Sequence, residues 1–212
     1  KPVFADIDLY DNLVDPKDIE KKITKKTKAI MPVHVNGRIC EMSQIVKISK
    51  KYKLKIIEDG AQAIGAMYKG KSIGVFGDCS SISFYPAKVL GCFGDGGAIV
   101  TNNTKLFKKL KLLRDHGRDD KGDIKLWGTN ARLDNLQAAF LNFKLKNLKN
   151  IIYTRRQIAN LYFKRLSNLN ELVLPPKPNK GNSRFDVFQN FEIRAKKRDI
   201  LKKYLKKNKI ET

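Results

Sequence analysis

Histidine and cysteine are scarce in this chain. Its 212 residues include two histidines, His34 and His116, and three cysteines, Cys40, Cys79 and Cys92. Cysteines that are few, odd in number and far apart build neither a disulfide framework nor a zinc site, and they fit a reducing compartment such as the cytoplasm. Two histidines argue against a histidine-based centre, so no metal is expected. Long apolar runs are also missing, and none approaches the ~18 residues of a membrane span. The opening "KPVFADIDLYDN" lacks the basic end, apolar stretch and small-residue cleavage site of a signal peptide. Neither a membrane nor secretion is expected.

Negative charge is in short supply, with 21 Asp and Glu against 44 Lys and Arg and a formal net charge of +23. Such an excess makes nucleic acid a partner to be weighed. The charge is spread over "KKITKKTK", "KLFKKLKLLR" and "KKRDILKKYLKKNK", which lie far apart. In the last two, apolar residues recur at helical spacing: Leu106, Leu110 and Leu113, then Leu201, Tyr204 and Leu205. These read as amphipathic surface helices with lysine on the wet side. No nucleic-acid motif accompanies them, so nucleic acid is not an expected partner.

The first two-thirds of the chain alternate strand-like and helix-like segments. "KPVFADI" reads as a strand and "DPKDIEKKI" as a helix, with Asp15 as N-cap and Pro16 in its first turn. "KAIMPVHV" is a second strand and "MSQIVKISKKYK" a second helix. "KIIED", "SSISFY" and "GGAIVT" supply three more strands, before a helix from about Thr104 to Arg114. Repeated strand–helix–strand units predict an α/β domain with a largely parallel sheet, whose ligands sit beyond the carboxyl ends of the strands. From Leu133 to about Leu166 the pattern is helical, "LPPKPNKGNS" breaks it, "FDVFQNFEIRA" alternates like a strand, and a last helix follows. The division expected is a large domain over residues 1–148 and the beginning of a smaller α+β domain over 149–212.

"GAMYKGKS", Gly65 to Ser72, matches a phosphate-binding P-loop letter for letter. That motif works only where the loop opens a helix, and "IGVFGD" follows instead, with Gly74 and Gly77. The segment reads as a hairpin turning at Lys69–Gly70. A different lysine stands out. In "SFYPAKVLGCFGDGGA", Lys88 is flanked by Pro, Ala, Val and Leu, where a charged amine is costly and a neutral, nucleophilic one is favoured. A lone strand-end lysine ordinarily snorkels to water. Asp59, at the carboxyl end of "KIIED", ordinarily caps the following turn. Together with Ser83, five residues before Lys88, they are the parts of a pyridoxal 5'-phosphate (PLP) site. The aspartate pairs with the pyridinium, the serine donates to the phosphate and the lysine binds the aldehyde carbon.

"PVHVNG", "IIEDGAQAIGAMYKGKSIGVFGD", "SFYPAKVLGCFGDGGAIVTN" and "NARLDNLQAA" together resemble the DegT/DnrJ/StrS family of sugar aminotransferases. The resemblance implies a three-layer α/β/α, fold-type I PLP enzyme. Lys88 would carry the cofactor, Asp59 would partner the pyridine nitrogen, Gln62 would lie near the ring hydroxyl, Ala61 against the ring face and Ser83 on the phosphate. Asn130 would reach the cofactor phosphate of a partner subunit, making the enzyme a homodimer with shared active sites. The activity implied is transfer of an amino group from an amino acid, with glutamate the expected donor, to a nucleotide-linked keto-sugar in amino-sugar and polysaccharide biosynthesis.

Departures from the pattern matter. Nothing corresponds to the family's first section, with its phosphate loop, or to its last. The chain is therefore expected to be a fragment. Asn36 stands where the family often has tyrosine, and His116 matches a family position either as a structural residue or as a substrate contact. Two alternatives stay open: a PLP-dependent sugar dehydratase, which usually has histidine in place of Lys88, and a non-catalytic, basic nucleic-acid-binding relative.

Overall fold

The computed structural model describes residues 1–177 and 183–212, so part of the "LPPKPNKGNS" break lies outside the described residues. In chain order the helices are α1 (Pro16–Lys21), α2 (Met42–Tyr52), α3 (Thr104–Leu113), α4 (Asn135–Leu145), α5 (Leu148–Leu166) and α6 (Arg198–Lys207). The strands are β1 (Ala29–Ile30), β2 (Lys55–Asp59), β3 (Met67–Tyr68), β4 (Lys71–Ser72), β5 (Cys79–Ser83), β6 (Gly97–Val100), β7 (Leu172–Val173), β8 (Arg184–Phe185) and β9 (Arg194–Ala195).

The main sheet runs β1-β2-β5-β6, with β1–β2 and β2–β5 parallel and β5–β6 antiparallel. Helix α2 covers it because Met42, Ile45, Ile48 and Ser49 recur at helical spacing and are buried, leaving the lysines in water. Met42 and Ile45 are fully buried, each contributing about 2 kcal/mol of transfer free energy. Along β2 the period is two, so Ile56 and Glu58 point into the core together. Asp15 caps α1 by accepting from the Lys17 N–H, with Pro16 at the first helical position, as its sequence requires.

The hairpin β3–β4 turns through Lys69 (φ 49°) and Gly70 (φ 73°), two left-handed residues as a two-residue hairpin needs. No helix opens after "GAMYKGKS", so the phosphate-loop match is one of letters only.

Four readings differ from the structure. "KPVFADI" forms only an isolated bridge, Ile7 to Val14. "KAIMPVHV" pairs regularly only at Ala29–Ile30, because Pro32 has no N–H to give the ladder; pairing resumes as a bridge from Val33 to Asp59. The Leu133–Leu166 stretch is two helices rather than one. It breaks at Asn147, the N-cap residue of α5, whose side-chain oxygen accepts from the Asn150 side-chain amide at 2.7 Å. "FDVFQNFEIRA" splits into β8, which pairs with β3, and β9, which pairs with β7. Between them Phe188 is left-handed (φ 50°) and turns the chain. Ile152 of α5 and Val187 are members of the main core, so the C-terminal part is packed onto the sheet-bearing part.

Candidate active site

Asp59 ends β2 beside β5, in register with Ser81, which puts Ser83 just beyond it on the neighbouring parallel strand. Its backbone is held on the other side as well. The Asp59 N–H donates to the Pro32 carbonyl at 2.9 Å, and the Asp59 carbonyl accepts from the His34 N–H at 2.9 Å. The carboxylate Oδ1 accepts from the Ala61 N–H at 3.0 Å and from the Ser81 hydroxyl at 3.4 Å. Among the described residues, no group donates to Oδ2. One oxygen is thus anchored and the other is free for a cationic N–H, as a pyridinium partner requires.

Lys88 sits in the loop between β5 and β6, half-buried. The apolar neighbours noted in its sequence are anchors. Val89 packs into the main core, while Leu90 and Cys92 join Leu141 in a second cluster. The loop is closed by the Cys92 N–H on the Phe84 carbonyl at 2.8 Å and by the Lys88 N–H on the Tyr85 carbonyl at 2.9 Å. Gly91 has to be glycine, since a Cβ would stand 2.4 Å from the Pro86 carbonyl oxygen. Among the described residues, the Lys88 ammonium has no carboxylate partner. It is the kind of amine that a cofactor aldehyde can take.

Gln62 is oriented by the Asn36 N–H, which donates to its Oε1 at 2.7 Å, so its amino group remains to donate. Asn36 is left-handed (φ 59°), a conformation that asparagine tolerates. The Ser83 hydroxyl accepts from the Tyr85 N–H at 3.2 Å and keeps its own proton to donate. The structure thus places Asp59, Ala61 and Gln62 on one strand–turn and Ser83 and Lys88 on the adjacent one. Asn130 is elsewhere, exposed and bridged to Asp115 in the segment between α3 and α4. His116 lies on the same segment, exposed and left-handed (φ 56°). Asp134 is the N-cap residue of α4, though its side chain makes no capping hydrogen bond.

The sequence reading missed residues that hold this arrangement. Glu58 and His34 are fully buried and paired, Nε2 to Oε2 at 3.0 Å. His34 Nδ1 accepts from the Cys40 N–H at 3.2 Å, so the imidazole proton is on Nε2 and donates to Glu58. Glu58 also accepts from the N–H groups of Gly74, Phe76 and Gly77, and these pin the loop after β4 beneath β2. The available signal was an acid at the buried register of "KIIED". Beside this pair, burial pushes the Cys40 thiol up to about 12.

The chain as a whole matches a known family. The sequence profile of the DegT/DnrJ/EryC1/StrS aminotransferase family fits residues 1–212. The chain belongs to that family. This aminotransferase-family chain is 44% identical over 213 residues to a protein of Geobacillus stearothermophilus named "Pleiotropic regulatory protein". It is 43% identical over 211 residues to the dTDP-3-amino-3,6-dideoxy-alpha-D-galactopyranose transaminase of Aneurinibacillus thermoaerophilus. Both matches cover 100% of this chain and 57% of the relative. The solved structure of S. venezuelae DesV in complex with a ketimine intermediate is similar at TM-score 0.92 and 37% identity, over 100% of this chain and 56% of that one. The chain therefore spans little more than half the length of these relatives. Its fold is that of the fold-type I PLP-dependent transferases, an α/β arrangement with a mostly parallel sheet. Among the described residues, no helix is long and apolar enough to cross a membrane.

Proposed function

We propose that the whole protein is a PLP-dependent aminotransferase that moves an amino group from an amino acid, glutamate being the simplest donor, to a nucleotide-linked keto-sugar. One observation carries this: an anchored Asp59 at the end of β2 and Lys88 in the loop that follows the adjacent β5, where among the described residues no group donates to Asp59 Oδ2 and no acid pairs with Lys88. These residues fit PLP, which when bound supplies an electron sink for the charge left on a deprotonated carbon. Asp59 Oδ2 would accept the pyridine N–H and keep that nitrogen protonated. Gln62 would donate its amide to the ring hydroxyl, Ala61 would face the ring and Ser83 would donate to the phosphate. Lys88 Nζ would hold the cofactor, and as a free amine it would take the donor's α-proton and return it, as general base and then acid.

Further parts of the reading concern the assembled enzyme. Asn130 is exposed on its segment, and it would reach the cofactor phosphate of a second copy in a homodimer with shared sites. Residues 1–148 belong to the cofactor-binding domain and 149–212 begin the smaller one. The free thiols of Cys40, Cys79 and Cys92 suit the reducing cytoplasm. The lysines of α3 and α6 lie on separate amphipathic helices and serve solubility rather than nucleic acid.

The test is covalent trapping. Full-length protein incubated with PLP and reduced with borohydride should carry the pyridoxyl group on one peptide, the one containing Lys88. Label on any other lysine refutes the assignment.

A further inference from the structure

We propose that Gln189 is a positioning residue for Lys88, an inference that rests on the function proposed above. Its side chain spans the backbone of the lysine. Gln189 Oε1 accepts from the Val89 N–H at 2.9 Å, and Gln189 Nε2 donates to the Ala87 carbonyl at 2.9 Å. A primary amide has one acceptor and one donor face, and the two backbone groups flanking Lys88 take one each. The pairing admits a single amide orientation, because the N–H needs an oxygen and the carbonyl needs an N–H. With the Lys88 N–H on Tyr85, it fixes the peptide units on both sides of the lysine and so the direction of its Cα–Cβ bond.

Gln189 is itself held by an arrangement that packing alone does not require. It lies 100 residues from Val89, and its own N–H donates to the Asn36 carbonyl at 3.0 Å. The Val187 N–H donates to Gly37 at 2.9 Å, and the buried Arg38 guanidinium pairs with Asp186. Gly37 permits this approach because a Cβ there would stand 2.7 Å from Val187 Cγ2 and 2.9 Å from the Gln189 nitrogen. Phe188 is a bulky residue at φ 50°, a strained conformation, and it is buried. Arg155 holds it by donating to the carbonyls of Phe188 and Gln189, both at 3.1 Å. The turn at Phe188 is what aims Gln189 at the lysine loop.

Through Asn36 the same residue reaches the other side of the site, since the Asn36 N–H donates to Gln62. Gln189 thus ties the Lys88 loop, held by its side chain, to the turn carrying Asp59 and Gln62, reached by its backbone N–H through Asn36. A lysine that must release the cofactor and recapture it has no covalent tether in between, and its backbone must keep the amine within reach.

The experiment uses the full-length enzyme and the variants Gln189→Leu and Gln189→Glu. Two quantities are measured with PLP as the probe: the rate at which apo-protein acquires a borohydride-reducible bond at Lys88, and the pH midpoint of the visible absorption band. Gln189→Leu, which keeps the bulk and loses both hydrogen bonds, should capture PLP about tenfold more slowly, with the midpoint shifted. Gln189→Glu places a carboxylate oxygen against the Ala87 carbonyl. Its rate relative to wild type should recover as pH falls and the carboxyl gains a proton to donate, a response that a purely structural role would not produce. Rates and midpoints within twofold and a few tenths of a unit of wild type in both variants would overturn the inference. Hydrogen exchange in the unmutated protein covers variants that fail to fold: a Val89 amide exchanging as fast as an unprotected one also overturns it. Label in wild type on a peptide lacking Lys88 overturns the proposed function as well, whereas unaffected variants with Lys88 labelled defeat the positioning role alone.

Discussion

Replacing Glu58 by Gln changes one heavy atom and reverses the polarity of one hydrogen-bonding position. Glu58 Oε1 accepts from Gly77 at 2.7 Å and Phe76 at 3.2 Å, while Oε2 accepts from Gly74 at 3.2 Å and His34 Nε2 at 3.0 Å. If the new amide puts its oxygen towards Gly77 and Phe76, its amino group faces two donors, the Gly74 N–H and His34 Nε2–H. His34 can move its proton to Nδ1, but that proton then meets the Cys40 N–H, now at 3.2 Å from Nδ1. If the amide flips, Gly77 and Phe76 lose their acceptor instead. Every arrangement leaves at least two donors unpaired at a site where both side chains are fully buried. At roughly 1–3 kcal/mol per unpaired group, Glu58→Gln should destabilise the protein by about 4 kcal/mol. Urea unfolding of the full-length protein, followed by fluorescence, should show the midpoint falling by more than about 1 M. Because Asp59 is the next residue, PLP should also dissociate faster. A midpoint within about 0.3 M of wild type would refute the reasoning, since the carboxylate would then not be the acceptor on which these groups depend.

Asp59→Asn retains an acceptor for the Ala61 N–H, so the fold and some PLP binding should survive while transamination falls by about 100-fold or more; near-normal turnover would defeat the pyridinium role. Mixing Lys88→Ala with Asn130→Asp subunits gives heterodimers with one site free of both lesions. Random exchange should restore about a quarter of wild-type activity, and exchange without recovery would show that Asn130 does not serve a partner's site. With its thiol pushed up to about 12 by burial, Cys40 should resist maleimide at pH 8 in the folded protein and react in denaturant; rapid native labelling at the Cys40 peptide would contradict its placement.

The proposed site rests on local pattern. Asp59, Ser83 and Lys88 stand out because strand ends, turn residues and an apolar-flanked lysine are properties of neighbours in sequence. The α1 cap and the Lys69–Gly70 hairpin were legible for the same reason, each being decided by a few adjacent residues. Ser81 was overlooked although it sits two residues before Ser83. Its role follows from the β2–β5 register, which is set by pairing across strands.

What the sequence determined by itself, then, is the alternating α/β character of the chain, the family and the residue types that make PLP chemistry feasible. What only the tertiary structure decided is how those residues are held. The burial of Glu58 against His34 depends on a loop closing from residues 74–77. The Gln189 bridge depends on a segment about a hundred residues from the lysine and on a left-handed Phe188 that no propensity would select. "FDVFQNFEIRA" alternates like a single strand, yet docking against Gly37 and Asn36 and the hydrogen bonds from Arg155 outweigh that preference and bend it into the site. Local sequence sets what a segment prefers. Hydrogen bonds and contacts between distant segments set which preference is overruled, and those depend on the whole fold being in place.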